Sequence, residues 1–592
     1  MNSRCGGSGV GVTVTGRCMV SPTRTGVVGQ LLFVLLASFC GCQRNPAPSV
    51  GGGTSPAASR FFEEITGQVG LRFLHDSGAT GQYFMPEHVG SGAALFDFDN
   101  DGRLDVYLIQ CGGPAAKSRN QLYHQQPDGT FRNVSEGSGV DVAGYGMGVA
   151  VGDINNDGLT DLLLTEYGAV RLFINLGAGK FGDGTVAAGL DNPRWATAAA
   201  FFDFDRDGWL DLVVANYVDY NPTQKCFDPA GVPEYCGPQN FDGTVARLFR
   251  NLGRTGASAA FEDVTVRSGL ARTTGPALGL LCADFDGDRW PDIFIADDGQ
   301  PNRLYLNQRN GTFAEEAALR GLAYNAMGET AGNMGVGVGD VNGDGLFDLF
   351  VTHLVHEQHA LWVQGPRGFF QDKAAELGLV NPAWRGTGFG TVLADFDLDG
   401  RLDLAFVNGL VRRGNHPGPR VEGLPSFWSA YAQRNQLFRG DTGNKFIDIS
   451  QSNEAFCGRA AVGRGLACGD IDNDGDLDLL ATTTSGPAQL FRNVAPRLGH
   501  WLMLRALDPA LGGRDAYGAE IVVDAGGKRW RGLVQPSTSY LVSNDPRVHF
   551  GLGSVEKIDN IRVFWPDGSE EVFTGGAADR EIRLQKGNGH KP

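Results

Sequence analysis

Residues 97–105 read DFDNDGRLD, with aspartates at positions 1, 3, 5 and 9 of a short loop and glycine at position 6. Carboxylates at that spacing converge on one point, the glycine permits a sharp bend, and position 7 can add its carbonyl. The result is an oxygen cage of the size and hardness that suits Ca²⁺. The opening follows the logic of the EF-hand loop, but aspartate closes the loop at position 9, where an EF-hand runs on to glutamate at position 12. Asp, Asn and Gly also make good turns without any metal. Recurrence decides between the two readings.

The pattern occurs seven times. The ligand positions are Asp97, Asp99, Asp101 and Asp105 in the first loop and Asp153, Asn155, Asp157 and Asp161 in the second. The third holds Asp203, Asp205, Asp207 and Asp211, and the fourth Asp284, Asp286, Asp288 and Asp292. The fifth holds Asp340, Asn342, Asp344 and Asp348, and the sixth Asp395, Asp397, Asp399 and Asp403. The seventh holds Asp470, Asp472, Asp474 and Asp478. Seven copies that keep all four positions point to metal binding. In the fourth copy Arg289 replaces the glycine, and a side chain and a cation beside the ligands both disfavour a tight site. The expectation is therefore six or seven structural Ca²⁺.

The loops start 56, 50, 81, 56, 55 and 75 residues apart. The two long intervals contain inserts, CFDPAGVPEYC from Cys226 and NGLVRRGNHPGPRVEGLPS from Asn408, and without them the period is about 55. A run of small residues such as GMGVAVGD precedes each loop and an apolar run such as DLLLTEY follows it, so the loop joins two strands. A third strand follows (NQLYHQ, RLFINL, NRLYLN), and after a turn a fourth begins at phenylalanine (Phe131, Phe261, Phe446), as does a related segment at Phe62. Four strands per unit and seven units predict an all-β chain folded as a seven-bladed β-propeller, with the acidic loop between the first and second strands of each blade. Gly and Ala in the first strand suit crowding round a narrow axis. A β-solenoid would use coils shorter than roughly 30 residues.

These loops resemble those of FG-GAP/VCBS repeat proteins, including the calcium loops of integrin α-chain propellers, over residues 61–496. The resemblance implies structural metals on one face of the disc. From Arg497 the repeat stops and alternating segments round glycine turns suggest a small β domain over residues 497–592. It looks like the ASPIC/UnbV domain in GAEIVV from Gly518, HFGLG from His549 and VFWPDG from Val563. Propeller plus module is similar to the bacterial relatives of the cartilage acidic protein family, for which the resemblance implies fold and calcium binding but no defined activity.

The chain has 592 residues, 42% hydrophobic, with 67 acidic against 50 basic residues and a formal charge of −17. It is too apolar for a disordered acidic chain, and without a basic face nucleic acid is not expected as a partner. Residues 26–41, GVVGQLLFVLLASFCG, follow Arg4, Arg17 and Arg24 and precede a loose stretch over residues 42–60. This reads as a secretory signal too short to span a membrane. It resembles a lipoprotein signal, with Gly41 before Cys42 as the lipidated residue; Cys40, after bulky Phe39, fits less well, and Met19 is an alternative start. An exported periplasmic or surface lipoprotein follows, touching membrane through its anchor alone. Without residues 1–41 the net charge is −20, the ligand positions hold 26 Asp, and seven Ca²⁺ would bring the charge to −6.

In an oxidising compartment two local disulfides are expected, Cys226 with Cys236 and Cys457 with Cys468. No P-loop, HExxH, GxSxG or Rossmann fingerprint is present, so no catalytic residue is assigned. His353, His356, Glu357 and His359 form the densest cluster of candidates; His359 occupies the position of Asn120, Asn302 and Asn435 in other units, which suggests a turn role. Arg439, Gly440 and Asp441 spell RGD, a chance match in so Gly- and Asp-rich a chain. Phe227, Tyr235, Phe427, Trp428 and Tyr431 in the inserts could stack on sugars or pack the inserts down. The function read from the sequence is an extracytoplasmic binding or adhesion scaffold for a protein or polysaccharide, on the face opposite the metal turns. The alternative is a carbohydrate-active enzyme or enzyme accessory protein.

Overall fold

The computed structural model describes residues 60–253, 259–413 and 420–592; the expected signal, linker and Cys42 lie outside them. Among the described residues each acidic loop joins the first two strands of a set of four antiparallel strands, which in the first sheet is extended by a fifth, parallel strand. The second sheet is typical, with Gly146–Gly152, Asp161–Glu166, Ala169–Asn175 and Phe181–Asp183 paired in that order. Its first two strands are buried throughout and read as continuous small or apolar runs. Its last strand alternates and keeps only Phe181 buried, so burial falls from the first strand to the fourth. The fourth strand of the last sheet comes from the other end of the repeats: Phe62–Glu64 pairs with Gln489–Asn493, Phe62 opposite Asn493.

The first strands pack against one another in sequence order. Ala196–Phe202 lies between Gly146–Gly152 and Ala277–Ala283, and Gly388–Ala394 lies between Val336–Gly339 and Gly463–Gly469. Gly463–Gly469 in turn contacts Ala93–Phe96 of the first sheet. Glycine is needed where backbones approach: a Cβ on Gly390 would lie 2.3 Å from the Leu466 amide nitrogen.

The C-terminal segment forms two further sheets. His500–Asp508 pairs with Arg514–Asp515, Val548–Gly553 and, in parallel, Arg580–Gln585, while Glu520–Ala525 lies between Lys528–Leu533 and Lys557–Phe564. It shares its core with the repeats, because Leu502, Leu504, Ile521 and Val523 cluster with Ala150, Leu163, Phe201 and Leu210. Between its sheets the chain runs in among the first strands. Ser539 exchanges both backbone hydrogen bonds with Val336, at 2.9 and 2.7 Å, and Val542–Ser543 adds a parallel strand to Ala93–Phe96. Ser539 Oγ accepts from the Thr391 amide and donates to the Leu466 carbonyl, both at 2.8 Å. Nothing in the alternation of residues 497–592 predicted this insertion.

Two expectations about the cysteines separate. Cys226 and Cys236 are joined by a disulfide. Cys457 and Cys468 are not: both are free and buried, the first in the short helix Glu454–Cys457 and the second in the innermost strand Gly463–Gly469. Proximity in sequence suggested a loop closure, but the intervening chain enters the sheet and each thiol fills core volume as a small hydrophobe.

Candidate metal centres

The acidic loops share one hydrogen-bond scheme. In the first, Asp97 accepts the amides of Asp101 and Gly102 at 3.0 and 2.9 Å, and Asp101 accepts that of Arg103 at 3.0 Å. Asp105 accepts from Phe98 within the loop and from Gln125 on the third strand, at 3.2 and 2.8 Å. The position-9 aspartate thus ties loop to sheet, and Asp161, Asp211, Asp292, Asp348, Asp403 and Asp478 do the same. Two residues per loop are left-handed. Gly102 has φ of 84° as the sequence foretold, and position 4 also has positive φ: Asn100, Asn156, Arg206, Gly287, Gly343, Leu398 and Asn473.

Carboxylate oxygens of Asp97, Asp99 and Asp105 lie within 4.8 Å of one another, as do those of Asp203, Asp205 and Asp211, of Asp284, Asp286 and Asp292, and of Asp395, Asp397 and Asp399. In the second and fifth loops the position-3 asparagine turns to position 5, Asn155 to Asp157 at 2.8 Å and Asn342 to Asp344 at 2.9 Å. Burial pushes the carboxyl of Asp105 up to about 8, that of Asp395 to about 8 and that of Asp203 to about 7. Carboxylates crowded and desolvated without a counter-charge are costly. Asp205 and Asp397 each leave a buried Oδ1 without a hydrogen-bond partner. An all-oxygen set with orphaned acceptors fits a hard cation such as Ca²⁺ or Mg²⁺.

Sequence reasoning missed a third-strand residue that addresses position 3. Arg250 Nη2 meets Asp207 at 2.7 Å while its Nε holds Asp205 Oδ2 at 2.5 Å. Arg439 binds Asp397 Oδ2 and Asp399 in the same way, at 2.6 and 2.9 Å, and His124 Nε2 lies 3.2 Å from Asp99. The guanidinium fixes one oxygen of Asp205 or Asp397 and leaves the other for a cation. The matching residues beside the asparagine loops are apolar, Ile174 and Val363, whereas four of the five aspartate loops have His124, Arg250, Arg439 or Arg492 there and the fourth loop has Leu306. This partial covariation between position 3 and the third strand was readable in RLFRN against RLFIN. Arg439 is the arginine of the RGD triplet, so that side chain is committed to the sixth loop.

Arg289 does not put its charge among the ligands, as its place in the loop suggested. Its amide takes over the glycine's role by donating to Asp284 at 2.9 Å, and its guanidinium reaches Glu570 at 3.0 Å and stacks over Phe564 in the C-terminal segment. It retains the left-handed backbone, φ 71°.

Adjacent loops are latched together. The position-4 side chain donates to the position-6 carbonyl of the next loop: Asn100 to Gly158 at 2.7 Å, Asn156 to Gly208 at 3.1 Å, and Arg206 to Arg289. Asn473 of the seventh loop donates to Gly102 of the first at 3.2 Å. Where position 4 is Gly287, Gly343 or Leu398 no such donor exists, and the C-terminal segment supplies some: Arg531 reaches Gly345 at 2.9 Å and His549 reaches Gly475 at 2.9 Å. Arg547 adds bonds to Asp470 and Asn473. The loops therefore share one side, and the C-terminal segment packs against it.

The histidine cluster does not converge. His353 is buried with its Nδ1 against the Gln358 carbonyl at 2.6 Å, and His356 is exposed. His359 Nδ1 accepts the His353 amide at 2.8 Å. Asn120, Asn302 and Asn435 accept the equivalent amides of Gln110, Asp297 and Asn408. The insert aromatics pack: Tyr235, Trp428 and Tyr431 are buried together, with Phe427 packed against them, and Phe227 is exposed.

Family models for the FG-GAP-like repeat match residues 97–164, 153–214 and 284–351, and the ASPIC and UnbV model matches residues 511–591. The chain carries FG-GAP-like repeats and an ASPIC and UnbV segment. Its curated homologues are cartilage acidic protein 1 of Xenopus tropicalis, 26% identical over 84% of this chain and 73% of that one, and of Mus musculus, 24% identical over 88% and 76%. Among solved structures, an Agrocybe aegerita lectin that recognises non-reducing terminal N-acetylglucosamine matches 63% of this chain and 84% of its own at 15% identity, with a TM-score of 0.36. PorZ, a surface component of the type-IX secretion system of Porphyromonas gingivalis, matches 83% and 59% at 10% identity, also with a TM-score of 0.36. Among the described residues no helix is long and apolar enough to cross a membrane.

Proposed function

We propose that the seven sheets close into a seven-bladed propeller, stabilised by Ca²⁺ in its loops, that serves an exported, lipid-anchored protein as a binding scaffold for a protein or glycan. The Asn473–Gly102 latch and the pairing of Phe62–Glu64 with the last sheet support closure. Arg250, Arg439 and the orphaned oxygens of Asp205 and Asp397 support the metals. Domain limits of 61–496 and 497–592, the signal at residues 1–41 and lipidation at Cys42 belong to the same reading.

One observation carries the choice of binding face. The chain's own C-terminal segment packs on the loop side, whereas the two inserts meet elsewhere and frame an opening. Glu234 of the first insert accepts from Arg413 of the second at 2.9 Å and from the hydroxyl of Tyr431, just beyond it, at 2.7 Å, 179 and 197 residues away. Both inserts line a cavity of about 490 Å³. Their shared wall is a built surface and the site on which a ligand is expected. A glycan array and a pull-down from the native surface test the reading, using wild type and a Glu234→Ala variant that frees the inserts. Binding that is indifferent to Glu234→Ala, or no binding by either assay, sinks it.

A further inference from the structure

The cavity between the inserts is lined in part by Tyr540, carried there by the C-terminal segment that threads the first strands. Its walls are mostly apolar, with Leu278, Met334, Val355, Phe389 and Leu410 prominent. A volume of about 490 Å³ is in the range that encloses a small organic molecule.

The polar groups on that wall are unequal. Asp298 accepts from the Tyr217 hydroxyl at 2.6 Å, and Arg413 is engaged by Glu234. Arg412 makes no hydrogen bond or ion pair among the described residues. His88 is 4% exposed and its unpartnered Nδ1 is itself buried, out of reach of the cavity. Beneath the wall lies Arg464, fully buried, its guanidinium carbon 3.9 Å from the centroid of the Phe389 ring. Arg464 is held by backbone carbonyls, those of His88 at 2.6 Å and Gly463 at 2.7 Å being the shortest, with no carboxylate among its partners. A buried guanidinium without a counter-ion is expensive unless something nearby offsets it. Its field and that of Arg412 favour negative charge in the cavity, with Asp298 the one carboxylate on the wall.

We propose that this cavity binds a small organic anion with an apolar body, its acidic group set against Arg412 and its body against Val355, Phe389 and Tyr540. The proposal rests on the scaffold reading above and names the chemistry of one ligand for the same face. The repeats alone would not form the site, because Tyr540 belongs to the C-terminal segment.

The test uses the full chain with calcium and two naphthalene probes of opposite charge, anilinonaphthalene sulfonate and dansylcadaverine. The anionic probe is expected to bind saturably at one site on the native protein and the cationic probe at least about tenfold more weakly, the ratio set by one charge-assisted contact. Arg412→Glu should weaken the anionic probe by at least about tenfold, and Val355→Trp, which fills the cavity, should abolish its binding with an unchanged melting temperature. Absence of saturable binding, equal binding of both probes, or variants that bind as wild type would overturn the proposal. A Val355→Trp protein that keeps its glycan or protein ligand while the probes fail to bind wild type sinks the anion site alone; loss of macromolecular binding in wild type sinks the scaffold reading.

Discussion

Asn473 Nδ2 donates to the carbonyl of Gly102 at 3.2 Å, joining residues 371 apart in sequence and linking the seventh acidic loop to the first. Asn473 has φ of 58°, a conformation in which asparagine is among the few comfortable side chains. One residue therefore sets the loop's bend and fastens it to a neighbour. Asn473→Gly keeps the backbone conformation and removes the latch, so it should destabilise by about 0.5–1.5 kcal/mol in urea unfolding. Asn156→Gly should lose a similar amount, because each asparagine also accepts from an arginine of the C-terminal segment, Asn156 from Arg514 at 2.8 Å and Asn473 from Arg547 at 2.7 Å. Equal stability of both variants with wild type would remove the latch from the account of how the loops are held.

Arg250 and Arg439 each hold one carboxylate oxygen of position 3 and leave its twin free. If they orient ligands, Arg250→Leu and Arg439→Leu will each weaken calcium at one loop by roughly 10–100-fold, read by calorimetric titration after chelation. If they compete with the ion, the same variants will bind more tightly, which is the contrary outcome. Ile174 and Val363, beside the asparagine loops, provide the comparison: Ile174→Ala should leave calcium affinity unchanged.

The repeat, its four strands and its acidic loops were legible because each depends on local chemistry: Asp and Gly at fixed offsets, and small residues where strands crowd. Less legible were features made by side chains that meet across the fold. Arg289 looked like a cation beside the ligands, but Glu570 and Phe564 draw it away. Cys457 and Cys468 looked like partners, but a helix end and an innermost strand separate them. The descent of Ser539 and Tyr540 among the first strands had no sequence signal, because the partners that hold it, Val336, Thr391 and Leu466, are spread over three sheets.

That descent couples the C-terminal segment to the repeats. A Cβ on Gly92 would lie 2.4 Å from the Leu541 carbonyl and 2.7 Å from that of Met147, both backbone. Gly92→Ala should therefore destabilise the protein as a whole by about 1–3 kcal/mol, the range for overpacking a tight core. Scanning calorimetry should show one transition that moves as a unit. Two transitions, with only one displaced, would show that the segments fold apart.

The cysteines can be read chemically. Alkylation under denaturing, non-reducing conditions should tag Cys111, Cys282, Cys457 and Cys468 and spare Cys226 and Cys236. In the native protein none of the four should react, since all are buried and burial pushes their thiols up. A tryptic peptide joining Cys457 to Cys468 would contradict the fold around the last repeat.

Calcium and protons compete for the same oxygens, which fixes a pH dependence. The carboxyls of Asp153, Asp203, Asp470, Asp105 and Asp348 are raised, chiefly by burial, to about 6, 7, 7, 8 and 8. Without metal the folded protein holds these protons more tightly than the unfolded chain, so their contribution is present below about pH 4 and is lost as pH rises through about 6 to 8. Calcium needs the deprotonated form and offsets that loss. The rise in melting temperature on adding Ca²⁺ to chelated protein should therefore be small at pH 5.5 and grow steadily to pH 8. A calcium increment that is constant across this range, or no calcium retained by the purified protein in mass spectrometry, would count against metal in the loops.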